Sequence, residues 1–145
     1  NDTVLASVTW TLGDDFEALQ FSGGAALIGT GNGLDNNLIG NNGANRLFGL
    51  GGADTLNGAN NADTLEGGDG DDVYVITAGA DVVVESLTGG SDLVLAGITH
   101  TLASNVENLN LIGTAAISGT GNALDNVVNG NGLANRIRGL DGADR

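Results

Sequence analysis

Asp54, Asp63, Asp72 and Asp81 fall nine residues apart, each in a stretch dominated by Gly, Asn and small residues. Carboxylates at a fixed spacing are hard oxygen donors, and a repeating backbone brings them into register. If the chain completes one coil every 18 residues, Asp54 stacks on Asp72 and Asp63 on Asp81, about 4.7–4.9 Å apart, the spacing of paired strands. Two carboxylates at that separation repel by roughly 3–4 kcal/mol at an effective dielectric of 20. A hard divalent cation between the turns reverses the sign. Calcium suits best, because it accepts about six to eight oxygens in flexible geometry, whereas magnesium demands a tight octahedron and keeps its waters. The same two rows open with Asn36 and Asn45, which are neutral and both donate and accept, so those turns are expected to close by hydrogen bonds instead of metal. Asp69 and Asp71, off the repeating position, are expected to be solvated charges.

Other chemistry has little to work with. The chain has no Cys, and its four basic residues are all Arg, which removes disulfides, thiolate sites and Schiff-base chemistry. His100 is the one His, and no Ser/His/Asp constellation forms around it in the sequence, so no catalytic residue is assigned. With 18 acidic residues against 4 basic ones, the net charge of -14 argues against nucleic acid and anionic membranes as partners and in favour of cations. No apolar run reaches the roughly 18 residues of a membrane span.

The elements that must hold these carboxylates follow from two nested periods. The short one is nine: from Gly31, units open at Gly40, Gly49, Gly58 and Gly67, with Asn or Asp sixth and a large apolar residue eighth. A sixth, worn unit keeps Gly79, Asp81 and Val83 in phase, and the array restarts at Gly121 and runs to Asp144. The long period is ninety, since 1–54 lies on 91–144 without gaps and about half the aligned residues are identical. On that alignment Trp10 stands opposite His100. A nine-residue beat fits neither a helix nor a meander. It fits a Gly/Asn/Asp turn followed by a three-residue strand whose middle side chain points inward, so Leu38, Leu47, Leu56, Leu65, Tyr74 and Val83 are expected to share a narrow interior. With Gly at 26 residues and aromatics at 3%, burial has to come from many thin repeated layers, not one conventional core.

Gly67-Gly68-Asp69-Gly70-Asp71-Asp72-Val73-Tyr74-Val75 fits in full the Gly-Gly-x-Gly-x-Asp-x-apolar-x pattern, and the chain resembles the RTX (hemolysin-type) calcium-binding proteins. The resemblance implies an all-β, right-handed parallel β-roll or β-helix solenoid of about 18 residues per coil. Calcium would lie between turns, held by Asp54 with Asp72, by Asp63 with Asp81, and by turn carbonyls such as those of Gly52, Gly68 and Gly70; Asp144 would serve a coil beyond residue 145. It also implies a bacterial, extracellular or cell-surface protein exported by a type I system, with its secretion signal at a C-terminus beyond this sequence. One continuous solenoid is expected over 1–145: wider coils at 1–30 and 85–120, a calcium-binding array at 31–84 and the start of a second at 121–145. The expected function is structural: a calcium-folded segment of an adhesin, surface layer or filament, in contact with neighbouring repeats and open to self-assembly. The alternative is a non-catalytic appendage of a secreted carbohydrate-active enzyme or protease.

Overall fold

The computed structural model describes residues 2–78 and 80–145 of the chain. Gly79, expected at the fourth place of the sixth unit, and Asn1, where the long repeat begins, lie outside the described residues. The described residues form sixteen short strands and no helix. The first eight are β1 (Thr3–Ala6), β2 (Trp10–Thr11), β3 (Ala18–Phe21), β4 (Ile28–Thr30), β5 (Asn37–Ile39), β6 (Arg46–Gly51), β7 (Thr55–Asn57) and β8 (Thr64–Asp69). Then follow β9 (Val73–Ile76), β10 (Val82–Val84), β11 (Leu93–Ala96), β12 (His100–Thr101), β13 (Asn108–Leu111), β14 (Ser118–Thr120), β15 (Val127–Asn129) and β16 (Arg136–Arg138).

Odd-numbered strands make one eight-stranded sheet in chain order, and even-numbered strands make a five-stranded sheet from β2 to β10 and a three-stranded one from β12 to β16. Neighbours are parallel throughout, as the ladders β5 to β7 and β6 to β8 illustrate. The chain is a β-solenoid of stacked coils, as the nine-residue beat requires. Within the nonapeptide array each coil spans two nine-residue units, with Leu38 opposite Leu56 and Leu47 opposite Leu65.

The expectation of uniformly wider coils at 1–30 and 85–120 needs correction. The first coil is narrower than a pair of nonapeptides, with Thr3 opposite Ala18, and Leu93 opposite Asn108 repeats it. Only residues 7–9 and 97–99 join the two strands there, too few for a Gly/Asp-rich turn. The next coils, Ala18 to Asn37 and Asn108 to Val127, exceed the nonapeptide pair by one residue, and the coil from Val73 to Leu93 exceeds it by two. Five coils of unequal length, opening at Thr3, Ala18, Asn37, Thr55 and Val73, thus close the ninety-residue period at Leu93. Trp10 and His100 fall at matching places, opposite Gly29 and Gly119.

The interior holds the eighth-position side chains. Leu38, Leu47, Leu56, Leu65, Tyr74 and Val83 are all buried, and Leu19, Val94, Leu109 and Val128 continue the stack through the irregular coils. Gly29 and Gly119 break the apolar row because larger neighbours fill the space: a Cβ on Gly29 would lie 3.0 Å from both Leu19 and Leu47 and 3.2 Å from Phe21.

Candidate metal centre

Asn36, Asn45, Asp54, Asp63 and Asp72 each sit just before a strand, and the stack ties each of them to the next coil twice. The N–H of Asn36 donates to Asp54 Oδ1 at 2.7 Å, that of Asp54 to Asp72 Oδ1 at 2.8 Å, and that of Asp72 to Asp92 Oδ1 at 2.9 Å. In return, the N–H of Thr55 donates to Asn36 O, that of Val73 to Asp54 O and that of Leu93 to Asp72 O, each at 2.8 Å. The second row is built alike, with Asn45 N–H on Asp63 Oδ1 at 2.6 Å and Asp63 N–H on Asp81 Oδ1 at 3.0 Å. Asp144 accepts from Asn126 N–H at 3.0 Å at the start of the second array.

Asn and Asp then part ways. Asn36 Oδ1 accepts the N–H of Asn32 in its own turn, and its Nδ2 donates to Asn32 Oδ1 and to Phe16 O. Asn45 does the same with Asn41 and Ala25, and Asn126 with Asn122 and Val106. Those turns are closed by amide pairs, as the sequence suggests. Asp54, Asp63, Asp72, Asp81 and Asp92 each bury a second oxygen, Oδ2, that has no hydrogen-bond partner among the described residues. An unpaired buried carboxylate oxygen is costly, and a cation or a proton can relieve it.

The first-position glycines make room for those oxygens. A Cβ on Gly49 would lie 2.0 Å from Asp54 Oδ2, on Gly58 2.2 Å from Asp63 Oδ2, and on Gly67 2.0 Å from Asp72 Oδ2. The predicted carbonyl donors lie in the same turns: Gly52, Gly68 and Gly70 have φ of 102°, 110° and 130°, and each sits against a carbonyl of the coil before it. Left-handed residues occupy the second and fourth places of the Asp turns, as Leu50 with Gly52, Ala59 with Asn61, Gly68 with Gly70, and Leu140 with Gly142. In the unit opening at Gly58, Asn61 stands where the nonapeptide pattern has its fourth-place Gly, and it adopts the left-handed conformation with φ of 73°.

Burial dominates the electrostatics. It pushes Asp54 up to about 7, with the Asp72 carboxylate adding to the rise, and Asp81 and Asp92 up to about 6. Asp63 and Asp72 are raised for the same reason. The charged forms that calcium requires are thus disfavoured until a cation arrives, and the donors present, carboxylate and carbonyl oxygens, are those of a hard-cation site.

Sequence reasoning missed Asp92 and Glu85. Asp92 extends the first row because it precedes β11 as Asp72 precedes β9, but its step from Asp72 departs from the regular spacing that reveals the other members of the row. Glu85 accepts the Tyr74 hydroxyl through Oε1. Asp69 and Asp71 are both exposed, and Asp71 also accepts Ser91 N–H at 2.8 Å. His100 is half-buried, its Nε2 without a hydrogen-bond partner among the described residues and its pKa lowered by burial. Among the described residues no helix is long and apolar enough to cross a membrane.

The family model for the RTX calcium-binding nonapeptide repeat matches residues 30–65, 60–83 and 120–145, more than half of the chain. No curated protein and no solved structure matches. The matched residues include Asp54, Asp63, Asp72 and Asp81 with their glycine turns, and the chain belongs to the RTX calcium-binding nonapeptide repeat family.

Proposed function

We propose that this chain is a structural segment of a secreted or cell-surface protein that folds when calcium enters its acidic turns, and that it carries no catalytic centre. The observation that carries the reading is the contrast at the sixth position: Asn36 and Asn45 spend their side-chain amides within the stack, whereas Asp54, Asp63, Asp72 and Asp81 each keep one buried oxygen without a partner among the described residues. Asp54 with Asp72 forms the first calcium-holding row and Asp63 with Asp81 the second. The carbonyls of Gly52, Gly68 and Gly70 complete the donor set. Asp144 would take the same role toward a further coil. When bound, calcium supplies the positive charge that lets neighbouring carboxylates stay ionised in a buried stack. The residues themselves do the rest: Oδ1 of each Asp fixes the register to the preceding coil, and the first-position Gly leaves space beside Oδ2. Export by a type I system and assembly with neighbouring long repeats are supported by family membership and by the ninety-residue period.

Calorimetric calcium titration of the whole chain tests the assignment. Asp54→Asn and Asp63→Asn should each lower the number of ions bound or weaken them by on the order of tenfold, since ligand charge sets affinity at such sites. Unchanged stoichiometry and affinity in both variants would refute it.

A further inference from the structure

The even-numbered face is broken at one place. After β10 its sheet ends, β12 opens another, and the intervening coil, from β9 to β11, is the longest in the ninety-residue period, with Val73 opposite Leu93. The odd-numbered sheet crosses this seam through β9 and β11, so the other face needs a different tie. Just past β10, Glu85 accepts the Tyr74 hydroxyl through Oε1 and Ser86 N–H through Oε2. Tyr74 in turn accepts the N–H of Gly67 at 2.8 Å. Asp92 closes the same coil, with Oδ1 on the N–H of Asp72 and its own N–H on Glu107 Oε2 at 2.9 Å.

One carboxylate oxygen each from Asp72, Glu85 and Asp92 lies within 4.8 Å of the others. Asp72 and Asp92 are 1% and 0% exposed, and Oδ2 of each has no hydrogen-bond partner among the described residues. Three carboxylates this close repel one another, and two of them hold buried oxygens that nothing described satisfies. A Cβ on Gly89 would meet Glu85 Oε2 at 2.4 Å and Gly68 O at 3.1 Å, so a backbone carbonyl borders the same space.

We propose that Asp72, Glu85 and Asp92 form a further calcium site, continuous with the first row through Asp72, that fastens the end of β10 to the turns before β9 and β11 in the longest coil. Glu85 and Asp92 lie outside the residues matched by the family model, and Glu85 has no place in the nonapeptide. The donors are all oxygens, with no His or Cys among them, which selects a hard ion over zinc or copper. The site joins the end of β10, the last strand of its sheet, by ionic bridging to residues just before β9 and β11 of the continuous sheet. Asp2 stands ninety residues before Asp92, with its N–H on Glu17 Oε2 as that of Asp92 is on Glu107, so the Asp92 member of the site recurs with the long period. The site shares Asp72 with the first row but does not require that row to bind.

Tyr74 is the only Tyr, and it touches Glu85, which provides a local optical probe. Terbium is an oxygen-seeking ion of calcium-like size that emits when bound beside an excited aromatic ring. The whole chain carrying Trp10→Phe, so that Tyr74 is the main donor, should show tyrosine-sensitised terbium emission that calcium displaces. Glu85→Gln and Asp92→Asn, added singly, should each weaken that binding by on the order of tenfold, while Glu66→Gln should leave it unchanged. Both ligand substitutions keep an oxygen for the hydrogen bond from Tyr74 or from Asp72, and circular dichroism in calcium should confirm that both fold. Emission of parental affinity in both variants would overturn the site. Absent emission in a parent that still binds calcium by calorimetry would overturn it too, leaving the Asp63 and Asp81 row intact. No calcium binding at all would overturn both readings.

Discussion

The difference between Asp and Asn at one repeated position decides where charge accumulates in this molecule. Asn36 spends both ends of its amide within the stack, on Asn32 and on Phe16, so Asn36→Ala should strand buried partners and cost about 1–3 kcal/mol in thermal or denaturant unfolding. The calcium midpoint should barely move, and a large shift in it would show that this turn also takes metal. The acidic rows carry a pH signature. Asp54 is raised from 3.8 to about 7 in the folded chain, so it binds its proton more tightly folded than unfolded. Its contribution is present below the unfolded value and lost as pH rises through the folded one. Without calcium, ionisation of Asp54 therefore opposes the folded stack increasingly as pH climbs from about 4 to about 7. Calcium affinity should rise over the same interval, because ligation requires the ionised form. A calcium affinity, read by titration, that falls with rising pH over that interval would contradict the burial assigned to these carboxylates. The sixth-position rows were legible in the sequence because Asp54 and Asp72 keep the regular two-unit step, and the amide closure of the Asn turns followed from the chemistry of Asn. Asp92 was not legible, because its step from Asp72 is longer than two units.

At the level of turns and strands, backbone conformation separates the two kinds of unit. Asp turns place left-handed residues second and fourth, whereas Asn32 with Leu34, Asn41 with Gly43 and Asn122 with Leu124 have none there. An amide pair thus closes one kind of turn, and a glycine-dependent path that exposes carbonyls shapes the other. Gly68 has φ of 110°, and its Cβ would lie 2.2 Å from Leu50 O, so Gly68→Ala should destabilise the calcium-loaded chain by about 1–3 kcal/mol. Gly51 meets nothing nearer than 3.7 Å and has no such φ, so Gly51→Ala should be close to neutral in the same melts. Equal effects of the two would remove the distinction between the left-handed places of an Asp turn and its other glycines. The inward eighth-position residues could be read from alternation alone, since a three-residue strand has only one side chain on the inner face. Coil length in 1–30 and 85–120 could not. There the joining residues lack the Gly/Asp punctuation that sets the beat, and three-residue links such as 7–9 shorten the coil instead of widening it.

Across the whole molecule, the ninety-residue period is a set of five coils whose unequal lengths restore the phase, so the long sheet runs unbroken from β1 to β15 while the other face is interrupted once among the described residues. A chain with 26 Gly and a net charge of -14 has a large conformational entropy to overcome and strong self-repulsion when its coils stack. The buried leucine row alone offers a thin core. The central claim is therefore that the solenoid depends on calcium. Far-UV circular dichroism of the 145-residue chain is the most direct test, recorded in excess chelator and through a calcium titration with magnesium as control. The spectrum should pass from coil to β as calcium rises into the range of ~0.1–1 mM typical of extracellular modules, with magnesium far less effective at equal concentration. A fully β spectrum in excess chelator would contradict the account.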